Sequence, residues 1–307
     1  MEPRETFRTA QAQLADSLSV PVRSHELRVD ASPVSTVGVV ETGPPDGEPV
    51  LCLPGATQPA AVFLPLAAAL DGYRTVAVDR PGEGSTDMID YSRVDYRELN
   101  RTLYPAVLDA LGVDDAHVLA HSQGGFQAFH LAFDRPERLR RLALLGAPGG
   151  LTSAGPVLFR LLAVPYLNRL LIRASRHDDP EGVRSDWEGS VVADASEVPT
   201  ELLAVQVANE ALPGRVETQA TLAESLWSPL SGTRDRFVFP DRVRALDCPT
   251  LFAWGTEDSY RPPSVGEPVA ADMANARFER LPGHGHTVWL EAGNDVAGLL
   301  REFLPDP

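Results

Sequence analysis

Three side chains far apart in the chain, each at the end of an apolar run, have the types needed for nucleophilic catalysis: Ser122, Asp258 and His286. A serine hydroxyl is a weak nucleophile until a base takes its proton, and the base works best when an acid orients it. Ser122 lies in AHVLAHSQGGFQAFHLAF, where a strand-like run becomes a helical pattern within two residues. A hydroxyl is presented at the end of a sheet only by a very sharp strand-to-helix turn. Small residues two before and two after the serine relieve the crowding of that turn. Here they are Ala120 and Gly124, so the stretch departs mildly from G-x-S-x-G by one methyl group. The helix that follows points its N-terminal dipole at Ser122 and favours negative charge there. Downstream, PTLFAWG runs into TEDSYRPP and ARFERLP runs into GHGHTVWLE. These place an acid, Glu257 or Asp258, and a histidine, His284 or His286, just past two further strands. The chemistry implied is attack on an acyl carbon and transfer of the acyl group to water.

Such a set needs a sheet whose strand ends converge. After a helical pattern at 3–18, VRSHELRVD and STVGVVETG, divided by Ser-Pro, predict an opening antiparallel pair. From PVLCLP (49–54) the chain alternates short unbroken apolar runs with helical stretches. These are RTVAVD (74–79), a helix near 95–111, AHVLAH (116–121), a helix near 123–133 and LRRLALLG (139–146). Apolar runs without alternation, separated by helices, predict a mostly parallel sheet buried on both faces. The pattern resumes at 249–255 and 276–282 and closes with a helix near 290–304. Between 147 and 242 the strand signal vanishes and helices broken by Pro and Gly take over, as expected of an insertion between two strands of one sheet.

Four stretches together resemble the α/β-hydrolase superfamily over roughly residues 20–305: LPGATQP after the third strand, DRPGEGST after the fourth, AHSQGG, and the pair GTEDSY and GHGH. The resemblance implies an α/β-hydrolase fold, an α/β class with a mostly parallel central sheet flanked by helices. It further implies a core of 1–146 and 243–307 and a helical cap at 147–242. It favours Asp258 by its G-x-x-D spacing from Gly255, and His286 because the family's histidine follows G-x-G. An oxyanion hole would use the backbone N–H of Gln123, the residue after the nucleophile, and that of Ala56, after Gly55. The family usually has His-Gly where this chain has Pro54-Gly55. That leaves a backbone donor in place but removes a side chain that braces the loop. The segment Asp79 to Ser85 is expected to shape a loop near the site, with Asp79 and Arg80 structural, and His121 is expected to pack beside the serine turn.

Composition narrows the partners. At 307 residues, with 43% hydrophobic and 23% charged residues, the chain can bury a large core. A formal charge of −16 repels polyphosphate backbones, so no nucleic-acid partner is expected. The basic run RPERLRR (135–141) reads as the end of a helix and its exit loop. Cys52 and Cys248 read as buried thiols on different strands rather than a disulfide or metal site. His284 and His286 lack further ligands at metal-binding spacing. No cofactor is implied, since there is no G-x-G-x-x-G opening a βαβ unit and no Walker lysine. The polar N-terminal stretch lacks an apolar signal-peptide core, which predicts a cytoplasmic protein with no membrane span.

The leading expectation is a serine hydrolase cleaving a carboxylic ester or related acyl bond of a small, largely apolar substrate. Tyr166, Trp187 and Trp227 in the insertion are candidates for its pocket wall or for the insertion's own packing. The alternative is carbon–carbon hydrolysis of a vinylogous diketone acid, because LLGAPGGL (144–151) is similar to the sequence after the sixth strand in meta-cleavage-product hydrolases. A non-hydrolytic binding or lyase role on the same fold is the third reading. A serine at position 122 disfavours the aspartate-nucleophile chemistry that opens epoxides.

Overall fold

The computed structural model describes residues 2–291 and 293–307. Helix α1 (Pro3–Leu18) turns Phe7, Ala10, Leu14 and Ala15 inward at helical spacing. Strands β1 (Val22–Ala31) and β2 (Val34–Thr42) pair antiparallel as expected. There follow β3 (Glu48–Leu53), the short α2 (Leu64–Ala67), β4 (Tyr73–Val78), α3 (Tyr96–Ala110), β5 (Ala116–His121), α4 (Gly124–Asp134) and β6 (Leu139–Leu145). The insertion contributes α5 (Val157–Leu162), α6 (Leu167–Ala174), α7 (Pro180–Trp187), α8 (Thr200–Glu210) and α9 (Arg215–Leu226). A two-residue ribbon, β7 (Trp227–Ser228) with β8 (Gly232–Thr233), and α10 (Pro240–Arg244) complete it. The chain then closes through β9 (Thr250–Gly255), α11 (Glu267–Ala271), β10 (Ala276–Leu281) and α12 (Gly293–Phe303).

The main sheet runs β1-β2-β4-β3-β5-β6-β9-β10. Pairing is antiparallel from β1 through β4 and parallel from β4 to β10. Strands β5 and β9 are buried at every position because both faces of the sheet are covered. Val118 and Ala120 of β5, Leu142 and Leu144 of β6, and Phe252 and Trp254 of β9 enter one core. Their neighbours Leu119, Ala143, Leu145, Leu251 and Ala253 enter the other. β6 pairs directly with β9, so the helices between them are inserted into one continuous sheet.

Several expectations are corrected. The insertion is not free of strand, since β7 and β8 pair through Trp227 and Thr233. The boundary expected at residue 242 falls inside α10. The basic run spans a helix end and a strand: α4 stops at Asp134, Pro136–Arg138 forms one 3-10 turn, and Arg140 and Arg141 lie within β6. Cys52 is buried in β3, but Cys248 is half-buried and precedes β9. The exposed large hydrophobics of the described chain all belong to the insertion: Val157, Leu158, Leu161, Tyr166, Leu170 and Leu230. No helix among the described residues is long and apolar enough to cross a membrane.

Candidate active site

The turn between β5 and α4 has the strain that a presented serine requires. Ser122 has φ of 50°, in the left-handed region that L-residues avoid at a cost of about 1 kcal/mol or more. Its carbonyl accepts from Gly125 N–H at 2.9 Å and from Gly149 N–H at 2.8 Å, which fastens the turn on both sides. A Cβ on Gly124 would stand 2.1 Å from the Leu53 carbonyl oxygen, so α4 can begin this close to β3 only without a side chain there. Ala120 is fully buried in β5, and its methyl packs into the core.

The loops after β9 and β10 meet because Gly255 lacks a side chain. A Cβ there would lie 2.1 Å from the His284 carbonyl oxygen and 2.2 Å from that of Gly285. This approach brings His286 Nδ1 to 2.8 Å from Asp258 Oδ2. A carboxylate only accepts, so Nδ1 carries the proton and Nε2 is the basic nitrogen. Among the described residues, buried Nε2 has no hydrogen-bond partner. Asp258 Oδ2 also accepts from Ala147 N–H at 3.0 Å, and Oδ1 accepts from the Tyr260 and Arg261 amides at 3.0 and 3.2 Å. Burial pushes the Asp258 carboxyl up. His286, its hydrogen bond and the Ala147 and Arg261 amides outweigh that, and the net shift is downward, so the orienting group stays ionised. His284 turns its Nδ1 to the Pro282 carbonyl, 2.8 Å away, and Glu257 is exposed, so neither occupies this position.

His121 lies between the serine turn and His286, with ring centroids 4.6 Å apart. Its Nδ1 is 2.7 Å from the Leu145 carbonyl and its Nε2 is 3.3 Å from Thr287 Oγ1. Burial and the adjacent His286 push its pKa down to about 3, so the ring is neutral and acts as packing, as expected from the sequence. On its outer side His286 faces Tyr260, at a centroid distance of 4.3 Å. Tyr260 in turn stacks on Phe159 of α5, and Phe159 on Trp227 at 4.3 Å. Trp227 therefore belongs to an aromatic wall reaching from the insertion to His286. Trp187 is buried in the second core, and Tyr166 is 85% exposed and turned to solvent.

The loop after β3 comes up beside the serine, since a Cβ on Gly55 would be 3.1 Å from Ser122 Cβ and 2.7 Å from the His121 ring. Ala56 follows Gly55 in this loop, and Gln123 follows Ser122 in the turn. The Pro54-Gly55 loop is held instead by a buried polar network, in which Asp79 and Arg80 have the structural part expected of them, while the partners from the insertion, Asn209, Arg215 and Gln219, were not expected. Arg80 Nε donates to the Gly55 carbonyl at 3.1 Å, while its Nη2 bonds Glu83 at 2.9 Å. Glu83 also accepts from Arg215 Nε at 2.7 Å and Asn209 Nδ2 at 2.6 Å, and pairs with Gln219. Asp79 braces the same segment by accepting from Ala60 and Ser85 N–H at 2.7 and 2.9 Å. Burial raises its pKa to about 6 against those two bonds. The available signal was Gln206 and Asn209 in the largely apolar stretch of α8, whereas Arg215 and Gln219 of α9 sit among other polar residues and gave none.

A family model described as the alpha/beta hydrolase fold matches residues 48–292. The chain is 32% identical over 238 residues to a 2-hydroxy-6-oxononadienedioate/2-hydroxy-6-oxononatrienedioate hydrolase of Burkholderia vietnamiensis, covering 76% of this chain and 77% of that one. It is 29% identical, with the same coverage, to a 2-hydroxy-6-oxo-6-phenylhexa-2,4-dienoate hydrolase of Burkholderia cepacia. Among solved structures, a carboxylesterase of Bacillus subtilis superposes with a TM-score of 0.76 at 19% identity, covering 99% of this chain and 98% of that one.

Proposed function

The chain belongs to the α/β-hydrolase family, and from that premise we propose that it is a serine hydrolase in which Ser122 attacks an acyl carbon, His286 is the base and Asp258 orients it. The observation that carries this reading is the buried His286–Asp258 pair beside a strained serine turn. His286 Nε2 takes the Ser122 proton as Oγ bonds to the carbonyl carbon, and returns it to the leaving group. Water then repeats the sequence in reverse on the acyl-enzyme. Backbone N–H groups of Gln123 and Ala56 would receive the developing oxyanion, each worth about 3 kcal/mol in the transition state. Helices α5–α9 would form the cap, with Phe159, Trp227 and Tyr260 as an apolar wall.

The leading substrate class is a small, largely apolar ester. A dianionic substrate needs cations, and the guanidinium groups near this site are engaged. Arg80 serves Gly55 and Glu83, Arg215 serves Glu83 and Thr57, and Arg261 serves the Ala154 carbonyl. Donors to spare remain on two of them: among the described residues, Arg80 Nη1 is buried without a partner, and the Arg261 guanidinium is bonded through Nε alone. The second reading, hydrolysis of a carbon–carbon bond in a 2-hydroxy-6-oxo-dienoate, is favoured by the names of the curated relatives. Initial rates on p-nitrophenyl esters of increasing acyl length, beside bleaching of a 2-hydroxy-6-oxo-dienoate, separate the two. Ester turnover lost in Ser122→Ala supports the first, and dienoate turnover exceeding every ester replaces it with the second. Undiminished turnover in Ser122→Ala would overturn the mechanism in both.

A further inference from the structure

The loop that carries Ala56 is held from behind by two arginines on one buried carboxylate. Arg80 Nε donates to the Gly55 carbonyl at 3.1 Å and Arg215 Nη2 donates to the Thr57 carbonyl at 3.0 Å. Glu83 joins them, 2.9 Å from Arg80 Nη2 and 2.7 Å from Arg215 Nε. All three side chains are at most 4% exposed. The Gly55 carbonyl and the Ala56 N–H belong to the same peptide unit. That unit is trans, so the two groups point in opposite directions, and a donor fixed on the carbonyl fixes the direction of the N–H. One residue on, Thr57 has φ of 63°, a strained value for a β-branched residue. Its carbonyl receives three donors from the insertion, Gln206 and Asn209 of α8 at 3.2 Å each and Arg215 of α9.

We propose that Arg80 and Arg215, coupled through Glu83, are positioning residues that aim the Ala56 N–H at the oxyanion, so that helices α8 and α9 complete the catalytic loop as well as covering it. This rests on the reading that Ser122 is the nucleophile and Ala56 an oxyanion donor. A charged donor on the Gly55 carbonyl also polarises that peptide and makes its N–H a better donor. The role of α8 and α9 is then geometric, because they hold the left-handed turn at Thr57 that sets the Ala56 plane.

The test uses the full chain, a fluorophosphonate that modifies active serines, and p-nitrophenyl butyrate. Truncating either arginine would leave Glu83 partly unpaired in the interior, which commonly unfolds a protein. Arg215→Lys and Arg80→Lys keep the cation but lose the planar fork, in which Nε and Nη2 reach the loop carbonyl and Glu83 from two separate nitrogens. Each folded variant is expected to lose about 10- to 100-fold in the rate of Ser122 modification and in kcat, with KM within about twofold, as when one oxyanion donor is misplaced. Modification of either folded variant at the wild-type rate, or a rise in KM with kcat unchanged, overturns the proposal. Failure of the wild type itself to react at Ser122 would sink the nucleophile reading and this one with it, a result distinct from wild-type labelling that the variants match.

Discussion

Gly55 stands against Ser122 so closely that a Cβ on the glycine would be 3.1 Å from the serine Cβ and 2.7 Å from the ring of His121. Gly55→Ala must therefore shift the loop bearing Ala56, the His121 ring or the serine turn. A displacement of a few tenths of an ångström degrades attack geometry, and kcat/KM on p-nitrophenyl esters is expected to fall about tenfold or more with the fold intact. An Ala variant of normal rate would show that the approach is not productive geometry.

Ser122 is both the proposed nucleophile and a strained residue, so its two roles separate by substitution. Ser122→Ala is expected to lower kcat by about 10⁴-fold or more. Ser122→Gly should be equally inactive and yet more stable than Ser122→Ala by about 1 kcal/mol, because glycine occupies a φ of 50° without steric cost. Urea denaturation of the two inactive proteins checks this, and equal midpoints would refute the strain.

Asp258→Asn places an NH₂ where the carboxylate accepts. Whichever way the amide turns, it faces either the Ala147 N–H and His286 Nδ1–H or the amides of Tyr260 and Arg261. The variant is expected to lose about 10⁴-fold in kcat, as a misoriented base does, and about 1–3 kcal/mol of stability for the unsatisfied donors. Retained activity would move the orienting role to another acid.

His130 of α4 is buried, packs on Phe239 at 5.5 Å, and has no partner for either ring nitrogen among the described residues. Burial pushes its pKa down to about 4, and that of His121 down to about 3. Both lie below the unfolded value near 6.5, so between those limits the unfolded chain binds more protons. Each histidine therefore contributes stability that is full above about pH 6.5 and is lost on acidification at up to about 1.4 kcal/mol per pH unit. Asp79 acts in the opposite sense between about pH 6 and its unfolded value near 3.8, because its folded pKa is raised. His130→Leu is expected to flatten the loss of stability from pH 6.5 to 4, without lowering stability at pH 7. Urea midpoints across that range give the slope, and an unchanged slope would show that His130 already protonates in the folded state.

Chain order and local pattern alone placed the strands of the main sheet, the serine turn and the acid and histidine loops. Unbroken apolar runs and Gly at turns are local consequences of burial on two faces and of steric crowding, and both can be read residue by residue. Residue types alone left His284 against His286 and Glu257 against Asp258, and the family resemblance favoured His286 and Asp258 through their spacing from glycine. The close crossing of two loops over Gly255 is what sets His286 on Asp258, and it depends on β9 and β10 lying side by side. The sequence marked Asp79–Ser85 as a loop near the site, but the partners of Glu83 were illegible because Asn209 and Arg215 lie 126 and 132 residues further along the chain. A polar residue on an apolar helix face signals only that a partner must exist. Which partner it finds is decided when the inserted helices pack against the loops at the end of the sheet, and only then do the Gly55 and Thr57 carbonyls acquire their donors.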